Sequence, residues 1–574
     1  MTSYGVGALP ILNRVLKRAK LGKQLAQFLV DDRRCATPSS IGILVLVRNY
    51  LTAREPVYGV SEWARQYLPT VLGLSVSQVA GLNDDRVGRW LDRLFQADCP
   101  SLVLAVTRHV VEEFGLDLSE LHTDSTTVTF SGAYDAAAEE GLHRGKKTPA
   151  ITWGYNKDHR PDLKQLLYNL TVTSDGAVPI AFGVENGNVT DDQTHRATWD
   201  LLCQVVGGPN FIYVADSKLA THANMTYIAQ RGGRFISVLP RTRAEDKAFR
   251  ARVIAGTVGW EPIETRTDDH GVVTDIISGS PEIATTSEGF RLVWLHSSRK
   301  AELDRASRTN SIRRAFRDLD LLRLRLRSPR TRFREPSQVE TAVAHCLTEA
   351  GATEWVTVEI RPEEREILRQ EKPGRPGPNT RYRKERATRF TIHFDVNNPK
   401  LEQAERQDGV FPLVTNDRAL PAREVLSAYK RQAQIESRFS QLKTRFQIAP
   451  VFLKSVHRVV ALLTVYYLAL LVQALVEREL RRGMARERVE SLPLYPEERR
   501  CVAPTAARII ELFANVQFHE LRRARAVSRT CFATELTPLQ REVLRLLGVP
   551  EADYEAGSAA VRKFAEIDLR TRGK

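Results

Sequence analysis

From Leu116 the apolar pattern of this chain runs as a series of β-type segments broken by one helix, and that order restricts the fold more than any other feature. The segments cover 121–130, 166–173, 178–184, 211–215 and 235–239, and a helical pattern at 193–206 precedes the fourth. Strands interrupted by a helix fit an α/β sheet. Asp124 lies in the first run, and Asp216 directly follows the fourth. Taken singly, an Asp after a strand is more often a turn or helix cap.

A third acid stands on a helical pattern. In AYKRQAQIESRFSQLK, Tyr429, Glu436 and Lys443 follow one another at steps of seven, so they share nearly one stripe of a helix with 3.6 residues per turn. Ile435, Phe439, Leu442 and Phe446 make the opposite, apolar stripe. One helix packed on a sheet is expected, with Glu436 turned outward between a phenol and an ammonium. A merely solvated helix face has the same pattern. Two aspartates and such a glutamate supply the oxygen ligands that paired Mg²⁺ ions take in phosphodiester chemistry.

The run from Tyr429 to Lys443 resembles the Tyr-x2-Arg-x3-Glu-x6-Lys signature of DDE transposases of the insertion-sequence-four type. Tyr429, Glu436 and Lys443 match in register, while Gln432 stands where the family has Arg, with Arg431 beside it. GYNKDHRPDLKQ (154–165), VENGNVTDD (184–192) and DGVFPLVTN (408–416) resemble further blocks of one branch, which carries a long insertion before the glutamate. The likeness extends from about Gly5 to Val549.

The resemblance implies an α/β fold class. A ribonuclease-H-like mixed-sheet catalytic core would be interrupted by a β-rich or mixed insertion domain, with an all-α N-terminal domain and a helical C-terminal region. In such a mixed sheet the first and fourth strands can be neighbours, which would bring Asp124 and Asp216 together. On that plan residues 1–115 form the N-terminal DNA-binding and dimerisation domain, 116–240 and 421–480 the two parts of the core, 241–420 the insertion and 481–574 the C-terminal region. The resemblance also implies that Asp124, Asp216 and Glu436 hold two Mg²⁺ ions, for which Mn²⁺ can substitute, and that they cut and rejoin double-stranded DNA at terminal inverted repeats. Tyr429 and Lys443 would place phosphates of the DNA end, helped by Arg431, and a homodimer would bridge two ends.

A formal charge of +15 and a pI near 9.6 favour a polyanionic partner. In GYNKDHRPDLKQ, Lys157, His159, Arg160 and Lys164 are expected to grip backbone phosphates; the alternative is a basic hairpin closed by its own salt bridges. In SVSQVAGLNDDRVGRWLDRLF (75–95), Asn83 caps what would be the second helix of a helix-turn-helix, with Arg86, Arg89 and Arg93 toward DNA, unless the segment is a plain helical hairpin. Trp260, Trp294 and Trp355 in the insertion are either base-stacking or core aromatics. GRPGP (374–378) reads as a flexible connector.

The six cysteines are scattered without CxxC or paired Cys/His spacing, which argues against structural zinc and for free thiols in a reducing cytoplasm. The N-terminus has no secretory-signal pattern, so a cytoplasmic, nucleoid-associated protein is expected. VVALLTVYYLALLVQALV (459–476) has nearly the length of a membrane span, but it follows the glutamate helix closely and runs on into charged EREL, as a buried core helix would. Two other functions use the same residues: a metal-dependent nuclease that cuts without joining, and a DNA-binding protein whose active site has decayed, for which Gln432 speaks.

Overall fold

The computed structural model describes residues 1–32, 35–268, 270–328, 331–446, 453–522 and 529–555. It divides into two units, one made of 1–237 with 426–574 and the other of 238–425.

In the first unit the expected strands form within a few residues of their predicted limits: β1 (Glu120–Phe130), β2 (Lys164–Thr173), β3 (Pro179–Asn186), β4 (Ile212–Ala215) and β5 (Arg234–Val238). They lie in the order β3-β2-β1-β4-β5. β1, β2 and β3 are antiparallel neighbours, whereas β4 runs parallel to β1 and β5 parallel to β4. β1 and β2 are buried along almost their whole length. Burial on both faces explains why they read as near-continuous β-branched and apolar runs. Helix α1 (Asp191–Val206) makes the connection from β3 to β4.

The glutamate segment follows as α2 (Ala422–Lys430), α3 (Ala433–Ser440) and a π turn (Gln441–Arg445). Then comes α4 (Val456–Arg486), a 31-residue helix. It is long and apolar enough to cross a membrane, yet 94% of its apolar window is buried inside the protein, as a core helix would be. The helices Leu9–Arg18, Ser39–Thr52 and Asp84–Gln96 pack on it. Gly42 lets two of these helices meet, because a Cβ there would overlap the Trp90 ring.

The chain's ends differ from expectation. Thr2–Gly5 is a strand that pairs with Gln517–Arg522, which pairs in turn with Arg529–Ala533. The N-terminal region is therefore not all-α, and the C-terminal region holds a β-hairpin beside its helices Ala506–Leu512 and Pro538–Leu547. A four-residue strand is too short to show alternation, and its partner lies some five hundred positions away, so neither leaves a local signal. Part of the basic HELRRARAVSR run (523–528) lies outside the described residues.

The second unit holds four antiparallel strands in the order Val410–Thr415, Arg291–Ser297, Val273–Gly279, Glu261–Thr267. The arginine-rich helix Ser298–Arg327 packs Ala315, Leu319, Leu322 and Leu326 with helix Pro336–Ala350 and the base of the hairpin Val356–Gln370/Tyr382–Val396. GRPGP belongs to the loop that closes this hairpin and does not connect domains. Trp294 stacks on Phe249 at 3.8 Å in the core, Trp260 meets Phe249 edge-on, and Trp355 lies under Arg308. These three tryptophans take the packing role and not an open stacking surface.

Candidate active site

The parallel pairing of β1 with β4 ends at Thr123↔Ala215. Asp124 and Asp216 are the next residue on each strand, so the register sets them side by side despite their distance in sequence. Asp216 also opens a turn, accepting from the Lys218 N–H at 3.1 Å, while its carbonyl accepts from Ser237 Oγ at 2.6 Å. The capping role weighed for it is thus present together with the strand-end position. Burial pushes the Asp124 carboxyl up to about 6, with Asp216 and Asp191 adding to the rise and Lys157 and the Ser125 N–H opposing it. Asp216 is raised too, again chiefly by burial, with Asp191 contributing. Ionised, the pair carries crowded negative charge that solvent does little to relieve.

Lys157 supplies the relief. Its Nζ lies 2.9 Å from Asp191 Oδ2, 3.5 Å from Asp124 Oδ1 and 2.8 Å from both the Ser125 carbonyl and its hydroxyl. It is thus drawn into the carboxylates and does not stand out at the surface to grip phosphate. Asp191 was missed by sequence reasoning. It accepts from Ser125 Oγ at 2.5 Å, and its place in the first turn of α1 beside Asp192 disguised it as an ordinary acid favoured at a helix N-terminus.

The rest of the GYNKDHRPDLKQ block divides. His159 is exposed with φ +56°. Arg160 closes a fork on Asp162, at 2.8 and 2.7 Å, which is the internal salt bridge weighed as the alternative. Lys164 is 6% exposed; its Nζ donates to the Ala133 carbonyl and sits 4.8 Å over the Trp153 ring, so it is a structural residue and not a phosphate grip.

The expected continuous helix from Tyr429 to Lys443 is broken. Between α2 and α3 the bonds Gln432 N–H to Tyr429 O, Gln434 N–H to Arg431 O and Ile435 N–H to Gln432 O tighten the chain to an i−3 pattern, and after Ser440 it widens into the π turn. Overwinding and underwinding shift the stripe that a uniform 3.6-residue repeat assigns, so the three signature residues sit on three elements. Ile435, Phe439, Leu442 and Phe446 are buried and Glu436 is exposed. Tyr429 is pushed up to about 12, chiefly by burial and then by the charges of Asp216, Glu436 and Asp124. Lys443 binds Asp158 at 2.6 Å, which joins the π turn to the Lys157 loop.

Arg431, weighed as the stand-in for the family arginine, is engaged by a carboxylate. Its Nε and Nη2 bind the two carboxylate oxygens of Glu120 at 2.6 and 2.5 Å. Burial raises Glu120, but Arg431 and His122 outweigh it and hold that carboxyl down at about 2. In the N-terminal region Asn83 caps Asp84–Gln96 by accepting from the Arg86 N–H, as expected. The helix before it, Val76–Ala80, is only five residues long. Arg93 pairs with Asp32, Arg86 is half-buried and Arg89 is exposed.

Among the described residues, no three His, Cys, Asp or Glu side chains are gathered closely enough to hold a metal ion as they lie. In kind the donors nevertheless fit a hard divalent cation: all are carboxylate oxygens, two are raised by burial, and a lysine ammonium already stands in for positive charge among them.

A mixed sheet with one aspartate within a strand and a second just past the end of its parallel neighbour, packed by a glutamate-bearing helix, makes an acid-centred α/β domain. The chain matches the family model described as the transposase DDE domain over residues 117–472, well over half of its length, and it belongs to that family of DDE transposases. Members act on DNA and generally use divalent metal ions. Residues 2–107 match a second family described only as a domain of unknown function. No curated protein matches the chain.

Proposed function

We propose that the chain is a cut-and-paste transposase of the insertion-sequence-four branch, with a ribonuclease-H-like core, that binds the terminal inverted repeats of its own element as a homodimer. The observation that carries this reading is the side-by-side placement of Asp124 and Asp216, with the Glu436 helix packed on the Asp124 strand and Gln432 at its start bonded to the Thr123 carbonyl. Asp124, Asp216 and Glu436 would hold Mg²⁺ or Mn²⁺, and Asp191 adds a fourth carboxylate beside them. Bound there, the ions would activate water or a 3′-hydroxyl and steady the leaving oxygen. Lys157 neutralises the cluster before an ion enters. Tyr429, Lys443 and the exposed His159 would position phosphates of the DNA end, a role that orients without reading sequence. Arg89, with Arg86 behind it, is the N-terminal contribution to DNA contact.

Joining separates this reading from that of a nuclease. Purified protein given a pre-cut end with a free 3′-hydroxyl, a supercoiled target and Mg²⁺ is expected to yield joined product. Cleavage of ends with no joining under those conditions would replace the transposase reading with a nuclease.

A further inference from the structure

Gln432, the one signature position that departs from the resembling family, sits 8% exposed between the glutamate helix and the strand that carries Asp124. Its Nε2 donates to the Thr123 carbonyl at 2.9 Å, and its Oε1 lies 3.0 Å from Nδ1 of His122, a fully buried ring. His122 Nε2 in turn lies 2.8 Å from Glu120 Oε1, and Glu120 holds the fork of Arg431, whose Nη1 donates back to Ser427 Oγ on α2 at 3.0 Å. The two residues of the tight turn between α2 and α3 are thus both fastened to β1.

The strand's periodicity gives this fastening a direction. Side chains two apart point to one face, so Glu120, His122 and Asp124 form a single row on β1. The first two of that row receive Arg431 and Gln432, and the third is the candidate metal ligand. Glu436 comes four residues after Gln432, and Asp124 comes two residues after His122 on the same strand face.

We propose that Gln432 is a positioning residue: its amide fixes the start of the Glu436 helix against the Asp124 strand and so sets the spacing of the acids from the two separated parts of the sequence. This inference rests on the transposase reading of the same site. The amide, facing the Thr123 carbonyl with its donor and the His122 ring with its acceptor, holds helix to strand without any DNA contact.

The test compares wild-type protein with Gln432→Leu and with Thr107→Val. The second is a control that removes buried hydrogen bonds to the Ile180 carbonyl and the Tyr467 hydroxyl away from the site. Three quantities are read: Mn²⁺ affinity by calorimetry, end binding by mobility shift, and single-turnover cleavage at saturating end DNA in Mg²⁺. Gln432→Leu is expected to weaken Mn²⁺ binding and slow cleavage by roughly 10- to 100-fold, the usual effect of losing a group that orients a ligand, with end binding unchanged. Thr107→Val should lower the melting temperature and leave the other readings alone.

Wild-type Mn²⁺ affinity and rate in Gln432→Leu would overturn the positioning role. Should that variant fail to fold, the paired His122→Leu and Gln432→Leu substitution, which removes both buried polar partners together, carries the same expectation and the same refutation. Wild-type protein that neither binds Mn²⁺ nor cuts its ends would refute the transposase reading itself, a distinct result.

Discussion

Asp124→Asn, Asp216→Asn and Glu436→Gln are each expected to bind end DNA as the wild type does and to lose strand cleavage by about 10³-fold or more. A metal ligand in phosphoryl transfer supports several kcal/mol of transition-state charge, and each 1.36 kcal/mol is tenfold in rate, which sets that scale. Amides keep the shape of the carboxylates, so DNA contacts made elsewhere persist. The stability effect has the opposite sign for Asp124. Its carboxyl titrates at about 6 in the fold against an ordinary 3.8, so ionisation is disfavoured by folding. The penalty is absent well below pH 4, grows as pH rises and is complete above about 6. Asp124→Asn should therefore melt higher than wild type at pH 7 without divalent ions, and the gain should vanish in acid. Thermal melts at both pH values, beside a gel cleavage assay, check the two halves. A variant that still cuts removes its residue from the site.

The second large effect concerns the support of the glutamate helix. Arg438, two residues past Glu436, is 3% exposed, and its Nη1 binds Glu477 Oε2 of α4 at 2.7 Å. Its other nitrogens donate to the carbonyls of Ala177 and Gly176 at 2.9 and 2.8 Å, and Glu477, 2% exposed, accepts from the Ala506 N–H at 3.0 Å. Deleting one partner leaves the other charge buried without its counter-ion, a loss of about 3–5 kcal/mol. Replacing both with apolar side chains costs much less, since no naked charge remains. Arg438→Leu and Glu477→Leu should each shift the urea transition of this unit by that amount, and the double variant should recover most of the loss. Additive single losses in the double would show that the two side chains act independently. Cleavage should fall in Arg438→Leu, because the helix that presents Glu436 loses its anchor.

What could be read in advance follows from the range of the interactions. The β runs, the helix before β4 and the burial of 459–476 are local patterns of period or composition, and they recur in the fold with small shifts. The adjacency of Asp124 and Asp216 was legible only through the strand order that the family resemblance implies, since no local pattern says which strands are neighbours. Local pattern could not show that the chain tightens at 431–435, where Arg431 and Gln432 bond to a strand three hundred residues earlier, or that it widens at 441–445, where Lys443 bonds to Asp158. Lys157, Lys164 and Arg431 all read as free cations because their partners, Asp191, Ala133 and Glu120, are fixed by tertiary contact alone. Asp191 hid for the converse reason, a helix-start acid that folding turns toward Ser125 and Lys157.

That three acids from separated parts of the chain share divalent ions is tested most directly by letting a bound metal report its own neighbours. Fe²⁺ in place of Mg²⁺, with ascorbate and peroxide, generates hydroxyl radicals that cut the polypeptide beside the metal. Cuts are predicted at three places in the DNA-bound protein, next to Asp124, Asp216 and Glu436, and excess Mg²⁺ should suppress all three together. Cuts confined to the two aspartates, or scattered without protection by Mg²⁺, would contradict the shared site.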